Sequence, residues 1–152
     1  MTARLRITFN SPQSGFMSIG LKFGRQRFLA AMSCRPYESL EELMRALTAV
    51  MSNAETALVR WNEDPEEFDF VLSAASDECK LEVIRYTSHL RRDGAPVFTA
   101  QGTREQICLP FWETLNAMKQ DLVVDEFARN WRRAFPFREF AELEAAMGTT
   151  DC

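Results

Sequence analysis

Thr56-Ala57-Leu58-Val59-Arg60-Trp61-Asn62-Glu63-Asp64-Pro65-Glu66-Glu67-Phe68-Asp69-Phe70-Val71-Leu72 decides how this chain folds. Side chains alternate in character on both sides of Asn62-Glu63-Asp64-Pro65, and those central residues favour a turn. A period of two sends successive side chains to opposite faces, so Phe68, Phe70 and Leu72 share one face and Asp69 takes the other. The pattern continues in Cys79, Leu81 and Val83 after a second turn at Ser76-Asp77. Three meandering strands are predicted, and the absence of βαβ alternation makes them antiparallel.

Toward the N-terminus, Leu5, Ile7 and Phe9 alternate with Arg4, Arg6 and Thr8, and the strand ends in a loop at Asn10 to Gly15. Met17, Ile19, Leu21 and Phe23 repeat the period, Gly24-Arg25 interrupts it, and Arg27 to Met32 resumes an extended run. This predicts a hairpin around Gly24, with Gly20 marking a bulge. Ser39-Leu40-Glu41-Glu42 has the form of a capping box, in which the hydroxyl and the third carboxylate exchange bonds with backbone amides. The helix it opens carries Leu40, Leu43, Met44, Leu47, Val50 and Met51 on one face and stops at Ser52-Asn53.

Toward the C-terminus, Tyr86 to Gly94 forms a polar connection before a short strand at Val97 to Gln101. Thr103-Arg104-Glu105-Gln106 offers a second capping box. Pro110 follows too soon for an undisturbed helix, so the main helix is expected to restart there. Phe111, Leu115, Met118 and Leu122 form its stripe. Phe127 and Trp131 begin a helix that Pro136 terminates, and Phe140, Leu143 and Met147 mark a last helix with Gly148 just beyond its end. The expected architecture is α+β: one antiparallel sheet of six or seven strands, helices packed on one face, and a single domain over residues 1–152.

A chain of 152 residues with 46% apolar and 26% charged side chains buries enough surface to fold without a staple. No apolar run reaches a membrane-spanning length and no signal core opens the chain, so a cytoplasmic location is expected. Cys34, Cys79, Cys108 and Cys152 are isolated; Cys79 and Cys108 read as small buried hydrophobes and Cys152 as a free tail thiol. The one histidine, His89, lies in the polar connection, and no H-x-x-x-H, C-x-x-C, phosphate loop or G-x-S-x-G occurs. Neither catalysis, a metal nor a cofactor is expected.

The net charge of −4 is unevenly spread: residues 55–79 hold eight acidic and one basic side chain, against three acidic and seven basic in residues 1–54. Such a block favours a basic protein partner and disfavours nucleic acid. Arg129, Arg132 and Arg133 make only a small basic patch among carboxylates. Glu63, Asp64, Glu66, Glu67 and Asp69 are therefore the candidate partner-binding residues, read as an exposed hairpin flanked by Trp61 and Phe68.

The order of elements, with Trp61-Asn62-Glu63-Asp64-Pro65 closing a strand and Pro110-Phe111-Trp112-Glu113-Thr114-Leu115 in the helical third, resembles the small immunity proteins of bacterial polymorphic-toxin and contact-dependent inhibition systems. The resemblance implies a non-enzymatic cytoplasmic protein that binds and blocks a cognate toxin domain, often a basic nuclease; the acidic block and the lack of a spanning run lead to the expectation of no nucleic-acid and no membrane partner. The other reading is a small-ligand or regulatory domain with a pocket between sheet and helices, lined by some of its 12 Phe residues.

Overall fold

Each alternating segment becomes a strand. The computed structural model describes residues 3–148, and its elements run β1 (Arg6–Phe9), β2 (Phe16–Phe23), β3 (Gln26–Ser33), α1 (Ser39–Met51), β4 (Thr56–Asn62), β5 (Glu67–Ala75), β6 (Glu78–Tyr86), β7 (Ala95–Thr103), α2 (Arg104–Gln120), α3 (Val124–Trp131) and α4 (Phe137–Gly148). The class is α+β. The strands form two antiparallel sheets, β1-β2-β3 and β4-β5-β6-β7, where a single sheet was expected.

The reason lies at the free edge of β4. The Ala74 N–H donates to the Glu55 carbonyl, which turns the odd-numbered backbone groups of β4 toward β5 and leaves those of Arg60 facing outward. Both outward groups are taken by α1: the Ser39 hydroxyl donates to the Arg60 carbonyl at 2.5 Å, and the Arg60 N–H donates to the Glu42 carboxylate at 3.0 Å. No further strand can pair there. The same contacts overturn the expected capping box at Ser39, because the helix caps at Glu38 without a side-chain bond and Ser39 is buried in its first turn.

The β3 strand instead crosses the second sheet. The Gln26 side-chain amide exchanges two bonds of 2.8 Å with the Thr99 backbone on β7, Phe28 meets Phe68 and Phe70 edge-on, and Glu63 accepts from the Ala31 N–H at 3.1 Å. Between the sheets and helices lies one apolar cluster. Met17, Ile19 and Met32 join Trp61, Phe70, Leu81 and Phe98, and the α1 stripe from Leu40 to Val50 packs with them as its spacing predicts. Gly20 makes no bulge: it pairs in register with Thr8 and Leu29, and a Cβ there would sit 2.7 Å from the Thr8 hydroxyl. The irregularity falls at Val83/Ile84.

At Thr103 the capping box forms as expected: Thr103 Oγ1 accepts from the Gln106 N–H at 3.0 Å, and Gln106 Oε1 from the Thr103 N–H at 2.9 Å. α2 then runs on through Pro110 instead of restarting. Ile107 and Cys108 before the proline and Phe111 and Leu115 after it are all buried, so packing keeps the two halves in line despite the missing donor. α3 ends in a left-handed Arg132 at φ 68°, and Gly148 is the last residue of α4, where the sequence placed it beyond the end.

Arg104 is buried at the start of α2 and fastens three segments. Its guanidinium donates to the carbonyls of Val50 (2.9 Å) and Ala54 (2.6 Å), at and beyond the C-terminal end of α1, and of Ser76 (2.6 Å) in the β5–β6 turn. The orphan carbonyls of a helix end and its negative dipole end both suit a cation. Replacing Arg104 by Met strands these acceptors and lowers unfolding free energy by about 3 kcal/mol in urea titration, with Arg104→Lys losing less. The buried Cys79 and Cys108 thiols are pushed up by burial, Cys108 to about 12. Peptide mapping after alkylation at mildly alkaline pH will find both unmodified in the native protein and both modified in denaturant; Cys152 lies outside the described residues.

Candidate functional site

Alternation along β5 places Phe68 and Phe70 in the core and Glu67 and Asp69 on the opposite face, as the sequence requires. That face is not open to water at these positions. Glu67 retains 3% of its accessible surface and Asp69 6%, because the β6–β7 connection folds back and lays Arg91 across them. One Arg91 guanidinium nitrogen bonds Glu67 and the other bonds Asp69. The Tyr37 hydroxyl donates to Glu67 at 2.6 Å and the Tyr86 hydroxyl to Asp69 at 3.3 Å. The Arg91 guanidinium also stands over the Tyr86 ring, 4.6 Å from its centroid, and Arg60 stands 4.5 Å from that of Tyr37.

Burial by itself lowers the Arg91 pKa, but the bonds to Asp69 and Glu67 outweigh it and leave the group above its ordinary value. Tyr37 and Tyr86 are both raised, first by burial and then by their carboxylate partners. The tyrosines are thus neutral donors and Arg91 a fixed cation at physiological pH. Two further residues of the predicted site are also engaged: Glu66 pairs with Arg85, and Glu63 caps the β3 edge at Ala31. Of the five, Asp64 alone has a carboxylate without an internal partner among the described residues. Trp61 and Phe68, read as flanking a contact surface, lie in the core at 0% and 4% exposure.

The acidic hairpin is therefore exposed only in part: Glu67 and Asp69 are buried, Glu63 and Glu66 are half-buried, and Asp64 is exposed. Its neutralising cations come from residues 85 and 91, outside the acidic stretch, and the only sequence signal for them was the return to positive charge after residue 79. His89 is exposed. Among the described residues no group of three His, Cys, Asp or Glu side chains is placed to hold a metal ion, and no helix is long and apolar enough to cross a membrane.

Free carboxylates gather elsewhere. A groove of about 590 Å³ separates β1 and its following loop from α2 and α3. Phe9, Met118, Leu122 and Phe127 give it an apolar floor, and among the described residues the charged side chains that line it are Glu113, Asp121 and Glu126, all exposed. β1 is the outer strand of its sheet. The Asn10 N–H donates to Ser18, which fixes the ladder so that the Ile7 and Phe9 backbone groups point away from β2, and the Ile7 carbonyl accepts from the Thr114 hydroxyl at 3.3 Å. Met118 and Leu122, read as core stripe, are half-buried: they pack against the core and also line this groove. None of the three acids was a sequence candidate for binding: Glu113 stood only in the quoted stretch Pro110 to Leu115, Glu126 only among the carboxylates near the small basic patch, and Asp121 lies in a turn of ordinary composition.

No protein-family model matches the chain, and neither a curated protein nor a solved structure matches it.

Removing Arg91 alone leaves two carboxylates buried and unpaired, so Arg91→Leu will cost about 3–5 kcal/mol in chemical denaturation. The triple change Glu67→Gln, Asp69→Asn, Arg91→Leu removes the charges together and will recover most of that loss; a triple variant as unstable as the single one contradicts the assigned pairing.

Proposed function

We propose that this chain is a non-enzymatic cytoplasmic protein that binds and neutralises a cognate bacterial toxin domain, in the manner of the immunity proteins it resembles. The observation that supports this most is the groove, with its apolar floor, three carboxylates and no lining cation. A lysine or arginine of a basic partner can lay its aliphatic stem on Met118, Leu122 and Phe127 and hold its charged end among Glu113, Asp121 and Glu126. The exposed carboxylates also steer a basic surface toward the groove, an effect that salt screens beyond about 8 Å at physiological ionic strength. Catalysis has little to work with, since the two buried carboxylates are both engaged by Arg91 and a tyrosine.

A second reading draws on the same cavity. Its volume falls within the roughly 300–1,000 Å³ of small-molecule sites, and it lies between sheet and helices with Phe9 and Phe127 in its lining. The ligand would be a small organic cation. A thermal-shift screen separates the two readings, because small amines stabilise a ligand domain whereas a toxin inhibitor responds to its protein partner.

The decisive test is affinity for a basic toxin-like domain sought among the products of the genes neighbouring this one. Glu113→Gln, Asp121→Asn and Glu126→Gln together will weaken binding by about 30-fold or more, chiefly through a slower and less salt-sensitive on-rate. Asp64→Lys in the hairpin will leave it unchanged. Full affinity in the groove variant, with loss in the hairpin variant, returns the interface to the acidic turn.

A further inference from the structure

The solvent face of the β1-β2-β3 sheet carries a charge pattern that folding does not require. Residues 1–37 hold six Lys or Arg and no Asp or Glu, whereas residues 38–152 hold 12 and 22. Register concentrates the cations: Arg6 pairs with Lys22, and Lys22 with Arg27, so three positive side chains stand directly opposite one another across three strands. At strand spacing the row is about 10 Å wide. Arg25 in the β2–β3 turn extends it, and all four side chains are exposed. Among the described residues no carboxylate reaches ion-pair distance of any of them.

Like charges directly opposite in a sheet repel and destabilise it. A row kept against that cost, with no internal counter-charge, suits an external anion. The row contains no apolar side chain that could form the dry centre of a protein interface, and no exposed aromatic ring on which a base could stack. Beside it, Thr8, Gly20 and Leu29 form the next row, where the face is flat at Gly20 and Leu29 alone protrudes, at 76% exposure. Three of the four cations are arginines, whose planar forks match phosphate oxygens. We propose that this face binds the phosphodiester backbone of a nucleic acid without reading its sequence. The overall acidity that argued against nucleic acid resides in the rest of the chain. The resulting charge asymmetry turns the cationic sheet toward a polyanion.

The test is fluorescence anisotropy of a short labelled DNA duplex of arbitrary sequence, titrated with the full chain at rising salt. Four phosphate contacts give a slope of log affinity against log salt of about −3 to −4. Arg6→Gln, Lys22→Gln and Arg27→Gln together will reduce the slope to about −1 and weaken low-salt binding by at least about 30-fold, without lowering the melting temperature. The groove variant will bind the duplex as the native chain does, so this proposal and the toxin-binding reading fail separately. Absence of duplex binding at low salt overturns the proposal, as does an unchanged slope in the triple variant. Preference of the same row for anionic lipid vesicles, or equal competition by polyglutamate, overturns it too.

Discussion

Arg60 joins the first half of this molecule to the second. Its backbone N–H and carbonyl, the outward-facing pair of an edge strand, are closed by Glu42 and Ser39 at the start of α1. Its guanidinium bonds the same Glu42 carboxylate at 2.6 Å and lies over Tyr37. From Tyr37 the contacts continue through Glu67 to Arg91, and from Arg91 to Asp69 and Tyr86. As a surface ion pair Glu42–Arg60 is worth little, about 0–1 kcal/mol. Its weight lies in where it ends the sheet. With that edge occupied, the first hairpin crosses over the second sheet, and Phe28 descends onto Phe68 and Phe70 to complete the core.

That arrangement redistributes the charge which the linear sequence presents. Two carboxylates of the acidic run, Glu67 and Asp69, are held inside by Arg91 from the β6–β7 connection, and Glu66 pairs with Arg85 of β6 at the surface. Two surfaces stand apart in charge: a groove whose carboxylates sit beside apolar side chains and, on the first sheet, a solvent face whose strand residues include no carboxylate. Buried carboxylates held by one arginine do structural work that is costly to undo by halves. Exposed carboxylates beside half-buried methionine, leucine and phenylalanine retain their freedom to meet a cation on another molecule.

Local features were legible in the sequence wherever a single element determines them. Alternation in Met17 to Phe23 and in Phe68 to Leu72 identified strands, and the α1 stripe named its buried face, because period and burial are set within one element. The Thr103–Gln106 box formed with both of its bonds inside one four-residue segment. Ser39 and Glu42 carry the same local signature, yet a strand edge 18 or more residues away outbids the helix amides for them. Pro110 likewise read as a break, and only the buried side chains on both sides of it explain why the helix continues. The division into two sheets, the covering of Asp69 by Arg91, and the meeting of β1 with α2 over 107 residues all depend on long-range contacts. For the candidate site, the sequence pointed to the acidic turn, and the burial of Glu67 and Asp69 within it depends on Arg91, 22 or more residues away, which no local pattern reveals.

Hydrogen–deuterium exchange of this chain, alone and with the toxin domain proposed as its partner, reports where an interface lies with no substitution made. Binding in the groove gives new protection in β1 and its following loop and across the end of α2 into α3, with the Asn62–Pro65 turn exchanging as before. Protection confined to that turn, with the groove unaffected, would contradict it.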